Sequence, residues 1–344
     1  MRRAQAPSGS SRTSGGPAAD PMQKQQEWPR KKIWSALVAI LAVSLAAFLL
    51  YRTLSRYSLE ELVASVAAVP MKRLLAAGGF AAASYLCLTG FDFLALRYVG
   101  RPLPYRKAAL ASFTSLSLGH NIGFAALSSG AIRYRYYSRW GLRTGEIAKV
   151  ILFCGLTVGL GLIVLGGAAL LIRSELAAEI TGLSRAAVLG MGALCLALAS
   201  TYLALAAFVQ RSLTFRNWSL EIPAFPIAIA QVVVGPLNFA LVAACLHQAL
   251  AAVAEIAYLG VASVYVIANA TALLTHVPGG LGVIESVVIY LLPHADLIGP
   301  LLVFRFVYFL VPLAIGGALL VTTEILLRST GKDGAAPEAP DATA

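Results

Sequence analysis

Charge is scarce in this chain: 12% of its 344 residues are Asp, Glu, Lys or Arg, against 58% hydrophobic residues. Ordinary soluble domains carry about twice that share of charge, so the composition excludes one. With a mean hydropathy of +0.77, it describes a polytopic membrane protein. Cysteine is equally thin. The four present (Cys87, Cys154, Cys195, Cys245) all fall in apolar runs without a C-x-x-C pair, which excludes a disulfide framework or a thiol redox centre. The four histidines (His120, His247, His276, His294) show no H-E-x-x-H spacing, so no metal site is expected. A G-x-x-x-x-G-K-[ST] loop is missing as well, leaving a gradient, a partner or downhill scrambling as the driving force for any transport. No cofactor and no nucleic-acid partner are expected.

What the chain has instead is length of apolar sequence. Runs able to cross a bilayer as helix, which takes about 20 residues, lie near Ile33–Tyr51, Leu74–Val99, Ile147–Ile172, Ala186–Val209, Ala224–Leu246 and Leu301–Leu327. Their continuous Ala, Leu, Val and Gly content does not alternate as barrel strands do, so helices must satisfy the backbone. The expected fold is all-α, with about 6–8 transmembrane helices. Two further apolar regions, Ala108–Ile132 and Leu259–Leu292, are interrupted by Gly, Asn, His or Pro and read as one or two re-entrant broken-helix segments, the second being either a re-entrant hairpin or two short crossings. Gly119, Gly123 and Gly130 mark the first break, and Pro278, Gly279, Gly280 and Gly282 the second. Three spans separate them, so they enter from opposite faces, the pattern of inverted repeats whose broken helices meet near the midplane.

Residues 1–32 are rich in Ser, Gly, Pro, Gln and basic residues and end in Arg30-Lys31-Lys32, which reads as a disordered tail before a signal anchor. Residues 33–327 form the membrane domain, and 328–344 read as a second disordered tail. If Ala108–Ile132 dips in and returns, Lys and Arg collect on the side that holds both termini, which is then the cytoplasm.

Within this frame a few ionisable residues stand at membrane depth, where each needs a partner or a wet cavity. Asp92 lies well inside its run, with Arg97 about one turn on. Arg133 directly follows the first break and is placed to reach a cavity and grip a phosphate bidentately. Arg135, Arg139 and Arg143 recur as one basic stripe among Tyr134, Tyr136, Tyr137 and Trp140, either facing anionic lipid or anchoring the cytoplasmic side. His120 and Asn121 sit where the first helix opens, Asn121 as a cap or a ligand contact. Glu285 begins the helix after the second break, as a helix-cap charge or a cavity acid. Arg305 is the basic residue left inside a span, and Asp92, Glu285 or a lipid phosphate is its expected partner. The candidate headgroup site is therefore Asp92, His120, Asn121, Arg133, Arg135, Glu285 and Arg305.

Several segments carry a family resemblance: D-F-L-A-L-R-Y (Asp92–Tyr98), N-I-G-F-A-A-L-S-S-G-A-I-R-Y-R-Y-Y-S (Asn121–Ser138), W-G-L (Trp140–Leu142), E-I-A-K (Glu146–Lys149), F-C-G-L-T (Phe153–Thr157) and P-G-G-L-G-V-I-E (Pro278–Glu285). Through them the chain resembles the transmembrane flippase region of the lysylphosphatidylglycerol flippase/synthase family of the MprF type, and more broadly the lysylphosphatidylglycerol synthase transmembrane superfamily. The resemblance implies movement of aminoacylated phosphatidylglycerol from the inner to the outer leaflet of a bacterial cytoplasmic membrane, which blunts cationic antimicrobial peptides. Bifunctional members add a cytosolic acyltransferase-like domain that uses aminoacyl-tRNA, and no such domain follows the last span here. The expectation is thus a stand-alone lipid translocase rather than an enzyme, with an anionic or aminoacylated phospholipid as partner. The alternative is the membrane half of a lipid-modifying transferase acting with a separately encoded synthase, and a lipid-binding scaffold is a third reading. Self-association as a homo-oligomer is left open.

Overall fold

The computed structural model describes residues 59–122, 125–209, 212–215, 218–292 and 297–330, all within one compact unit, 45–344. The first expected span, both tails beyond these limits, and Gly123 lie outside the described residues. Helices dominate: α1 (Leu59–Ala68), α2 (Met71–Tyr98), α3 (Tyr105–Ile122), α4 (Ala125–Arg139), α5 (Thr144–Ile172), α6 (Ser174–Thr181), α7 (Arg185–Phe208), α8 (Phe225–Leu250), α9 (Tyr258–Thr275), α10 (Val283–Leu291), α11 (Ile298–Arg305) and α12 (Val311–Thr330). A short antiparallel hairpin, β1 (Ser212–Phe215) and β2 (Trp218–Glu221), joins α7 to α8. Among the described residues, six helical stretches, α2, α5, α7, α8, α9 and the α11–α12 rod, are long and apolar enough to cross a membrane.

The first interrupted region folds back on itself. Helices α3 and α4 pack along their lengths, and a Cβ on Gly119 would lie 2.8 Å from the Ser129 Cβ. At the open end of this hairpin, the Lys107 ammonium sits 5.6 Å from the centre of the Trp140 ring. Arg101 meets Glu146 at 2.9 Å nearby. The basic residues before α3 and after α4 therefore share one end of the bundle.

The second interrupted region is also a hairpin, of α9 and α10 joined by a single 3-10 turn at Pro278–Gly280. Its base lies at the other end. The His247 ring, near the end of α8, bonds the Ile256 carbonyl at 2.9 Å just before α9. Arg73, at the start of α2, donates to Gln248 at 3.4 Å. Since α2 ends at the base of the first hairpin, the two hairpins enter from opposite ends, as the order of spans predicts.

Small residues set the helix crossings. A Cβ on Gly235 of α8 would fall 2.6 Å from the Thr157 carbonyl of α5, and one on Gly167 of α5 would fall 2.8 Å from the Cys195 Cβ of α7. Bilayer helices gain no hydrophobic drive by meeting one another, so close backbone approach and polar contacts must hold them. Gln231 supplies such a contact, donating to the Thr157 hydroxyl at 2.8 Å. Ser84 does the same between α2 and α8, donating to Asn238 at 2.7 Å.

The last span contains a π-helical turn, Phe306–Leu310, between α11 and α12. Pro312 has no N–H to offer the Tyr308 carbonyl one turn back, and the Tyr85 hydroxyl of α2 donates to that carbonyl instead, at 3.4 Å. Widened turns of this kind recur at functional sites, and this one directs Tyr308 and Phe309 inward. Replacing Gly235 with Val should lower stability by about 1–3 kcal/mol, the usual range for overpacking. Thermal unfolding in detergent reads it, and an unchanged midpoint would show that α5 and α8 can separate freely.

Candidate functional site

Where the hairpins meet, the chain encloses a cavity of about 590 Å³, within the roughly 300–1,000 Å³ of small-ligand pockets. Its walls come from both hairpins and from α2, α5, α8 and the π turn. Leu127 of α4, with Leu273 and His276 at the end of α9, line it and are exposed. Among the described residues the cavity therefore opens sideways between the hairpins. The tips touch as well: a Cβ on Gly279 would stand 3.8 Å from the Asn121 Cα.

The ionisable residues organise this junction in two ion pairs, the first fully buried and the second partly so. Arg133 donates from Nε to Asp92 Oδ1 and from Nη2 to Oδ2, both at 2.8 Å, forming a two-bond fork that ties α4 to α2. The Tyr137 hydroxyl donates to the same Oδ1 at 2.7 Å, and the Cys154 thiol lies 3.8 Å from Oδ2. Asp92 is sealed off completely, and Arg133 is 2% exposed, at the cavity wall. The edge of Arg133 expected to hold a phosphate is thus taken by a carboxylate. Arg97 does not serve Asp92. It lies over the Phe93 ring, 4.3 Å from its centre, because its position near the end of α2 points it toward the bundle end.

The second pair is Arg305 with Glu285. Arg305 Nε donates to Glu285 Oε1 and Nη2 donates to Oε2 at 2.8 Å. The same guanidinium donates to the Gly279 carbonyl at 2.7 Å and the Gly280 carbonyl at 2.9 Å. Gly279, Gly280 and Gly282 all have positive φ, which glycine adopts without the Cβ penalty. Their turn exposes carbonyls at membrane depth, and Arg305 satisfies them. Glu285 Oε2 also accepts from the Gly282 N–H at 2.8 Å, so this side chain is both helix cap and counter-ion.

The remaining expected residues separate by role. The His120 ring lines the cavity, 6.4 Å from the Tyr85 ring. Asn121 donates to the Ser117 carbonyl at 2.8 Å within its own helix, a local structural bond. Gly130 lets Ile151 of α5 approach. Arg135 stands apart from the cavity, at the bundle end. It meets Glu324 of α12 at 2.5 Å, and Arg139 meets the same carboxylate at 3.1 Å. Glu324 escaped the sequence reading although it is acidic and sits in an apolar span, the same signal that singled out Asp92. Tyr137, read only as an interfacial aromatic, was missed as a bond donor.

The sequence pattern of the family described as "Lysylphosphatidylglycerol synthase TM region" matches residues 37–316. The chain belongs to this family. Within the curated relatives, the "Inner membrane protein YbhN" of Escherichia coli (strain K12) is 29% identical over 271 residues, 75% of this chain and 81% of that protein. The "Uncharacterized protein slr0712" of Synechocystis sp. is 28% identical over 300 residues, 86% of this chain and 93% of that one. The match to the lysylphosphatidylglycerol synthase TM region takes in both hairpins and both ion pairs.

Removing one member of a buried ion pair strands the other, at a cost of about 3–5 kcal/mol. Asp92→Asn should lose about that much in detergent unfolding, and adding Arg133→Gln should restore part of it. A loss below about 1 kcal/mol in the single variant would show that the guanidinium finds another counter-ion.

Proposed function

We propose that the protein is a lipid translocase of a bacterial cytoplasmic membrane, carrying a phosphatidylglycerol-type headgroup through the cavity between the two hairpins while the acyl chains stay in the bilayer. The observation that carries this reading is the sideways opening beside Leu127, Leu273 and His276. A soluble substrate needs an opening at one end of the bundle, whereas a lipid enters through the side. The walls suit such a cargo, with apolar Leu88, Phe91 and Ile151 beside polar Asn238, Asn269 and Tyr308.

Hairpins entering from opposite ends and meeting at their tips support alternating access, in which each hairpin opens the central site to one leaflet. Arg101, Arg106, Lys107, Arg143 and Lys149 gather at the base of the first hairpin. By the positive-inside rule that end faces the cytoplasm, and both termini belong there. It also attracts anionic lipid electrostatically. The family name supports a lipid cargo, and the inner-membrane relative supports that location.

The test is leaflet-resolved labelling of phosphatidylglycerol in reconstituted vesicles. Wild-type protein should raise the transbilayer rate above that of empty vesicles. Ala272→Trp, a plug in the cavity wall, should return it to the empty-vesicle rate while melting like wild type. Equal rates with and without wild-type protein would refute the reading.

A further inference from the structure

Resting on the translocase reading, we infer that Asn238 and Tyr308 receive the lipid headgroup, and that Ser84, which joins them, relays its arrival to the widened turn of the last span. The three side chains come from α8, the π turn and α2 and meet in one chain of hydrogen bonds. The Ser84 hydroxyl lies 2.7 Å from Asn238 Oδ1 and 3.3 Å from the Tyr308 hydroxyl. An amide oxygen only accepts, so the single Ser84 proton goes to Asn238 and the Ser84 oxygen takes the proton of Tyr308. All three residues are buried, but Asn238 and Tyr308 line the cavity and Ser84 does not.

This order of protons leaves one donor and one acceptor for a ligand. Asn238 Nδ2 has no bond among the described residues and is not sealed off from the space its residue lines. The Tyr308 oxygen, its proton turned to Ser84, keeps a lone pair free. Its 3.3 Å bond is also longer than the roughly 2.5–3.0 Å usual between hydroxyls, so a ligand can displace it. A headgroup oxygen can accept from Asn238 while a headgroup hydroxyl or ammonium donates to Tyr308. The pair thus fits a phosphodiester with a neighbouring donor, the chemistry of the phosphatidylglycerol class. The relay follows from where Tyr308 sits. Its carbonyl belongs to the π turn and is held at 3.4 Å by Tyr85, the residue after Ser84. Its ring stacks on Phe304 at 5.6 Å and 4°. The residue after Phe304 is Arg305, which holds the Gly279 and Gly280 carbonyls. A headgroup that takes over the Tyr308 hydroxyl therefore frees it from Ser84 and shifts the side chain around which this turn is packed.

The experiment uses the full chain in phosphatidylcholine nanodiscs, with water-soluble dihexanoylphosphatidylglycerol as the probe. Calorimetry reads binding, and hydrogen exchange reads the backbone of Phe306–Leu310. Wild-type protein should bind the probe and change exchange in that turn about fivefold, the scale of one net hydrogen bond. Asn238→Ala, and Tyr308→Phe, which keeps the stacked ring, should each weaken binding about tenfold. Ser84→Ala should keep the binding but lose the exchange response, and Ser84→Thr, which restores the hydroxyl, should regain it. Wild-type binding in both Asn238→Ala and Tyr308→Phe, or a wild-type exchange response in Ser84→Ala, would overturn the inference. Lipid transport without any exchange response in the turn would also overturn it and leave the translocase reading standing. Binding and response without lipid movement would sink the translocase reading and keep the headgroup contact. A response to soluble glycerol 3-phosphate in place of the lipid would overturn both.

Discussion

A charge held at membrane depth must be neutralised where it stands, and the two-bond fork between Arg133 and Asp92 is how this fold meets that demand. The pair fastens the returning half of the first hairpin to α2, and Tyr137 and Cys154 close over the same carboxylate. Such a pair gives little net stability against an apolar substitute, because both ions lose their water. It does fix one arrangement. Any register shift of α4 along α2 strands two charges in a medium without water, so the hairpin is held where its tip reaches the second break.

The second break depends on the first in turn. Its glycines free the backbone to turn inside the bundle, and that turn exposes carbonyls that only a donor at the same depth can satisfy. Arg305 is that donor, and Glu285 balances its charge. The lining of the cavity is mostly apolar, and its guanidinium, Arg133, is already paired with Asp92. The groups left over are amides, phenols and an imidazole.

Much of this was legible in the sequence, and for a physical reason. Bilayer solvent penalises every unpaired polar atom, so Asp92, Arg133, Glu285 and Arg305 announce themselves against an apolar background, and Gly-rich interruptions announce the breaks. Pairing was less legible. Arg305 has Glu285, one of the partners considered, but Asp92 has Arg133 across 41 residues rather than Arg97 one turn away. Helical periodicity ranks near neighbours, and it carries no information about which helices meet. Arg135 and Arg139 form a stripe as their spacing predicts, yet the stripe ends on Glu324 across the bundle. Gly123 lies outside the described residues, as does the first expected span.

The last helix is attached to both hairpins. Near its start, Arg305 grips the tip of the second, and Glu324 near its end holds the flank of the first. At 1.5 Å per residue those attachments are roughly 28 Å apart along one nearly continuous rod, interrupted only by the widened turn at Phe306–Leu310. A rigid rod pinned at two points cannot release one hairpin without loading the other. Its soft spot at the π turn, beside Tyr308 and Phe309, is where that load can be taken up. The fold thereby couples its two hairpins mechanically through its last span.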